Sequence, residues 1–194
     1  LLQSGKYVDI TTKGNFSLPS INVQMDGLLE FRRITNSLTI TTAFLEIKYL
    51  GSVFMNHGYI DAGEIDMESE SQISLDAKGY RAESGPGAGK GTAGGSYGGQ
   101  GGCADPDKSY GSLFTLSHLG SGGGGNQGGA GGGFVEVNVG RNIHVDGNFK
   151  TYGGDAQGSN SGGGSGGSIL IKAFNFSGHG VLDSSGGGGC TRKV

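Results

Sequence analysis

Alternation of apolar and polar residues dominates the chain up to about Tyr80. In "SLTITTAFLEIKYL", Leu38 and Ile40 fall on one face of an extended backbone and Thr39 and Thr41 on the other. In "EIDMESESQISLDA", Glu64, Asp66, Glu68 and Glu70 share one side, with Ile65 and Met67 opposite. A period of two marks a half-buried strand. The short alternating runs are punctuated by "KGN", "MDG", "LGS", "NHG" and "DAG", and no stretch of comparable length has a helical period. Residues 1–84 therefore predict strands and turns alone.

Beyond Gly85 the pattern changes. Residues 85–133 are mostly Gly with Ser, Ala, Asn and Gln, a composition that by itself reads as a flexible linker. "DKSYGSLFTLSHLG" breaks the tract with Tyr110, Leu113, Phe114, Leu116 and Leu119, apolar anchors that point to packing. Glycine strands can lie side by side in extended, polyproline-II-like form, because no Cβ blocks backbone approach. Residues 134–194 then repeat a unit of Gly run, strand and Gly run. Phe134–Val139 aligns with Ser168–Ala173, which places Val135, Val137 and Val139 on Ile169, Ile171 and Ala173. A unit that cannot bury its own apolar face stacks on its neighbours. The expected fold is all-β: a single-stranded parallel β-helix, one solenoid domain over 1–194, with rungs in 1–84, a Gly-rich insert in 85–133 and repeated rungs in 134–194.

The run "LGSGGGGNQGGAGGGFVEVNVGRNIHVDG", followed by "GGGSGGSILIKAFNFSGHGVLDSSGGGG", resembles a class of Gly-rich parallel β-helix repeat proteins of cell surfaces and extracellular matrix. "SQISLDAKGYRAESGPGAGKG" fits the same class, so the resemblance covers roughly Ile73 to Gly189. It implies an extracellular, secreted or cell-surface setting and a structural role. The class has no shared catalytic site, so the resemblance assigns no active residues.

Composition narrows the choice. Gly supplies 44 of 194 residues while Pro supplies 3, which excludes collagen. A formal charge of −3 with 14 Lys+Arg leaves no basic footprint for nucleic acid. No apolar run approaches the roughly 18 residues of a membrane span. The chain starts at Leu1 and stops at "CTRKV", which reads as a piece of a longer mature protein. "SGPGAGKGT" has the letters of a phosphate loop, with Lys90 and Thr92 behind three glycines. Polar "KGYRAE" precedes it and "AGGSYGGQGG" follows, whereas a nucleotide needs a buried strand before the loop and a helix after. No nucleotide is expected.

Few residues carry candidate chemistry. Glu64, Asp66, Glu68 and Glu70 form a ladder of carboxylates suited to Ca²⁺, or equally to a solvated outer face. Asp105 and Asp107 in "CADPDKS" offer a second pair, or a turn. His57, His118, His144 and His179 show no metal-ligand spacing, and no Ser-His-Asp set follows from spacing. Cys103 and Cys190 can close one long disulfide loop, remain free or link chains. Asn15 and Asn175 head two N-glycosylation sequons. Thr39 and Thr41 form a T-x-T pair that neighbouring runs do not repeat. The function expected is structural: a segment of a filament, matrix or adhesive assembly, without catalysis or cofactor. Its partners are copies of itself, neighbouring domains or glycans. The alternatives are a carbohydrate-binding or polysaccharide-cleaving protein and a Ca²⁺-dependent adhesin.

Overall fold

A computed structural model describes residues 5–12, 15–33, 37–103, 109–112 and 118–189. The first strands in the chain are β1 (Tyr7–Thr12), β2 (Phe16–Val23), β3 (Leu28–Arg33), β4 (Leu38–Ile47), β5 (Ser52–Met55), β6 (Gly58–Met67) and β7 (Gln72–Ser74). After the glycine-rich tract come β8 (Phe134–Val145), β9 (Asn148–Lys150), β10 (Ser168–Ser177) and β11 (Val181–Asp183). Odd-numbered strands make a six-stranded sheet in the order β1-β3-β5-β7-β9-β11, and even-numbered strands a five-stranded one in the order β10-β8-β6-β4-β2. The ladders from β1 to β11 and from β2 to β8 are parallel.

The chain changes sheet at tight corners. The N–H groups of Gly27, Gly51 and Ser71 donate to the carbonyls of Gln24, Lys48 and Glu68 at 2.8, 2.7 and 3.2 Å. Just before them, Asp26, Leu50 and Glu70 take φ of 57°, 57° and 59°. Each corner follows an even strand and aims the chain into the odd sheet, so consecutive strands do not pair. A left-handed backbone costs a residue with a Cβ about 1–2 kcal/mol, and Leu50, 45% exposed, recovers little of that by burial. We expect Leu50→Gly to stabilise the protein by about 0.5–1 kcal/mol. The check is a higher urea midpoint at unchanged slope.

This topology corrects the expected single-stranded β-helix. Hydrogen bonds sort the strands into two separate parallel sheets, each open at both edges among the described residues, rather than into one solenoid. The period of two gave the faces of each strand correctly but carries no information on its partner. Inner rows cross the sheets, one through Val8, Leu29, Val53, Ile73, Phe149 and Leu182, another through Ile21, Leu45, Ile65 and Ile143. Phe16 and Phe31 link the two sheets edge to face, with ring centroids 5.1 Å apart. Val135, Val137 and Val139 are buried, as the repeat predicts, while Ile169, Ile171 and Ala173 on neighbouring β10 are half-buried.

The chain divides into two compact units. The first, residues 1–74, 135–150 and 170–183, holds the sheets. The second, residues 75–134, 151–169 and 184–194, holds the glycine-rich segments. Its described parts are joined by backbone hydrogen bonds: Gly79 to Gly131, Gly120 to Gly132, Gly132 to Ser165, and Gly129 to Gly162, at 2.6–2.9 Å. A Cβ on Gly132 would stand 1.9 Å from the carbonyl oxygen of Thr151. Backbone fills the space that side chains fill elsewhere. Tyr97 and Tyr110 pack within this layer with ring centroids 5.0 Å apart and planes tilted by 59°, and burial pushes the Tyr110 hydroxyl up to about 12. The predicted anchors Leu113, Phe114 and Leu116 lie outside the described residues.

Candidate functional site

The acidic ladder extends along β6 and past its end. Glu64 accepts from Arg141 Nε at 3.2 Å and Asn142 Nδ2 at 3.4 Å. Asp66 stands in register between Glu46 on β4 and His144 on β8. Glu68 accepts from Lys48 Nζ and from the Tyr49 N–H, both at 2.9 Å, and these bonds hold its carboxyl below the usual range, the Lys48 bond most. Lys48 also reaches Glu46 at 2.6 Å, and the two carboxylates raise its ammonium well above the ordinary value. Glu70 sits exposed at a corner. These four carboxylates do not converge, and no trio of His, Cys, Asp or Glu among the described residues can hold a metal ion. Asp105 and Asp107 lie outside the described residues.

The structure gathers a second group that spacing left scattered. Asp146 Oδ2 is 3.1 Å from His144 Nε2, and its Oδ1 accepts the His179 N–H at 2.9 Å. His144 Nδ1 lies 3.0 Å from Ser177 Oγ. Both cross-strand pairs, His144 with Ser177 and Asp146 with His179, are 33 residues apart. The internal repeat was the available signal, and aligning it at 33 rather than 34 residues puts Ser177 on His144. Ser177, His144 and Asp146 are ordered like a hydrolytic relay. However, His179 is 99% exposed, and the group lines neither the recess walled by residues 163–167 nor the one between β1 and β2. A relay needs oxyanion donors in a site from which water is excluded. What this arrangement does is pin β10 to β8.

The His179 N–H first, and His144 second, hold the Asp146 carboxyl below the usual range. A depressed carboxyl stabilises the fold above its unfolded value of about 3.9, and that contribution fades as pH falls through the folded value. A carboxyl-carbon NMR titration is expected to place the Asp146 midpoint below about 3.9, and Asp146→Asn to flatten the acid limb of the stability profile.

The glycine-rich unit contains a cleft of about 480 Å³. Its walls are formed by residues 94, 95, 97–102, 163–167, 184, 186 and 187, nearly all of them glycine, with Tyr97 and Gln100 among them. At Gly98, Gly99 and Gly102 a Cβ would meet nothing within 4 Å, so packing does not demand glycine there. Such a wall presents peptide groups to a polar ligand. Nearby Cys103 is disulfide-bonded; the only other cysteine, Cys190, lies outside the described residues. Asn15 is exposed just before β2. Asn175 is exposed on β10, where its amide donates to Asn142 Oδ1 at 2.9 Å.

No family model, curated protein or solved structure matches this chain. Among the described residues no helix is long and apolar enough to cross a membrane.

Proposed function

We propose that the chain is a structural segment of an extracellular filament, matrix or adhesive surface, and performs no catalysis. One observation carries this reading. The described glycine tracts form a layer held backbone to backbone, in which a Cβ at Gly129, Gly166 or Gly167 would stand 1.7 Å from a neighbouring carbonyl oxygen. Glycine there is a packing requirement, and the layer it builds has almost no reactive side chains. That suits a material more than a catalyst. Neighbouring domains or further copies are its partners. Cryo-electron microscopy of untagged native material tests the reading: the chain should lie within continuous fibres or matrix. Isolated particles that cleave an acidic polysaccharide, with turnover abolished by Glu64→Gln and Asp66→Asn, would overturn it.

Glycan capture is a second reading, favoured by the polar, backbone-walled cleft of about 480 Å³. It predicts binding on a glycan array that Gly98→Trp, filling open space in the wall, removes. Ca²⁺-dependent adhesion has no convergent set of described carboxylates in its favour.

A further inference from the structure

Residues 162–168 of the glycine-rich unit are buried, and their hydrogen bonds repeat with a period of three. The N–H groups of Gly162 and Ser165 donate to Gly124 and Ser121, both at 2.9 Å. Those of Gly164 and Gly167 donate to Gly154 and Thr151, at 2.9 and 2.8 Å. The carbonyls accept from three further segments: Gly163 from Gly95, Gly164 from Gly187 and Ser165 from Gly132, at 2.9, 2.8 and 2.8 Å. Three residues per turn is polyproline II geometry, in which every backbone group points outward. Donors leave such a segment in three directions and acceptors in three. Five of the six end on the partners just named.

The sixth direction belongs to the N–H groups of Gly163 and Gly166. Both residues line the cleft, between Gly95 and Gly101 on one side and Gly186 and Gly187 on the other. Among the described residues neither N–H has a partner, although both residues are buried. A buried N–H without a partner is rare and costly. Gly189 passes close to one of them: a Cβ there would stand 2.3 Å from the Gly163 nitrogen. Gly166 is therefore the more open donor.

We propose that the cleft takes a further extended, glycine-rich peptide, supplied by a neighbouring chain of the same assembly. The proposal rests on the structural reading above and adds to it the partner's chemistry and the place where it docks. Three observations select this occupant. Gly163 and Gly166 are three residues apart, about 9.3 Å along a polyproline II axis, and the carbonyls of a second such peptide recur at the same spacing. Closeness is the second. A Cβ on Gly163 would stand 2.2 Å from the Gly187 oxygen, and one on Gly166 1.7 Å from the Ser184 oxygen. A peptide packed at that distance must itself be glycine where it touches. Third, no charged side chain among the described residues lines the cleft, so an ionic ligand finds no counter-charge. Ordering a free glycine peptide costs about 1–2 kcal/mol per residue, so an isolated one binds weakly. Tethering within an assembly supplies an effective concentration in the millimolar range.

Amide NMR titration of the full chain provides the test. The probe is the capped peptide SGGGSGGS, the sequence of residues 161–168, raised to tens of millimolar. The Gly166 amide is expected to move downfield to saturation and then to exchange with solvent about fivefold to tenfold more slowly. The same peptide with every glycine changed to alanine should leave it in place. Gly98→Trp and Gly102→Trp put side chains into the cleft from positions where a Cβ meets nothing within 4 Å. With melting temperatures near wild type, both should lose the response. A Gly166 amide that ignores the glycine peptide, answers the alanine peptide equally, or keeps its response in both Trp variants would overturn the proposal. So would one that answers chitohexaose and not the peptide, which would make the cleft a glycan site. A chain that ignores the peptide yet lies in native fibres would leave the structural reading standing and remove only this dock.

Discussion

Gly166→Ala is expected to unfold the glycine-rich unit under conditions in which the wild type stays folded. A Cβ on Gly166 would stand 1.7 Å from the carbonyl oxygen of Ser184 and 2.6 Å from its carbonyl carbon. Atoms that close must move apart, and the neighbour is backbone, which has no rotamer to change. Overpacking of side chains typically costs about 1–3 kcal/mol, and a rigid backbone neighbour places this substitution at or beyond the upper end. Displacing Ser184 also strains the adjoining bond from the Gly153 N–H to the Ser185 carbonyl, 2.9 Å in the native layer. The control is Gly98→Ala, where the new methyl meets nothing within 4 Å. There the lost freedom of the unfolded chain should leave stability unchanged or raise it by about 0.4–1 kcal/mol. Amide hydrogen exchange separates the outcomes. Gly166→Ala should strip protection from Gly120, Gly132 and Gly153 while the amides of Leu45 and Ile65 keep theirs. Equal midpoints for the two alanine variants would mean that the layer is not packed as described.

Reduction of the Cys103 disulfide is expected to have the second large effect. Cys103 sits at φ 59°, next to Gly101 and Gly102 in the cleft wall. A bond to Cys190, the only other cysteine of the sequence, would close a loop spanning 87 residues, much of it glycine-rich and costly to order. Closing a loop of that length contributes about 4 kcal/mol through the unfolded chain. At roughly 2–4 °C per kcal/mol for a chain of this size, reductant or Cys103→Ser should lower the melting temperature by about 8–15 °C. Melting with and without reductant, beside a non-reducing gel, checks it. A wild-type dimer on the gel would show that the bond joins chains, and the loop-closure figure would then not apply.

Much of the first unit was legible in the chain. Leu38 and Ile40, or Ile65 and Met67, declare their inward face by alternation, and all four are buried. Val135, Val137 and Val139 do the same. The partner of each strand was not legible, because alternation describes one strand at a time while the sheet changes after β2, β4 and β6 run through left-handed corners at Asp26, Leu50 and Glu70, none of them glycine. Nothing in the letters of Leu50 announces φ 57°. In the acidic ladder the strand period held for Glu64 and Asp66 but ended at Met67, so Glu68 and Glu70 fell into a corner. The cleft was hidden for a different reason: it is made by segments far apart in sequence, and a glycine tract gives no side-chain pattern from which to align them, whereas the Asp146 group needed the repeat aligned at 33 residues.

The pairing distances also order the steps of folding. Neighbours across β4 and β6 are 20 residues apart, as Lys48 and Glu68 are, whereas β6 and β8 meet across the whole glycine excursion, with Asp61 and Asn138 77 residues apart. Loop closure makes the second pairing costlier by about 1 kcal/mol even for an unstructured loop. The strands before Leu75 can therefore pair while the ribosome is still making the glycine tract. β6 then waits as an exposed edge, and the tract must fold back before β8 can cover it. The growing chain is most vulnerable to misassembly during that interval, and its length is set by residues that belong to neither sheet.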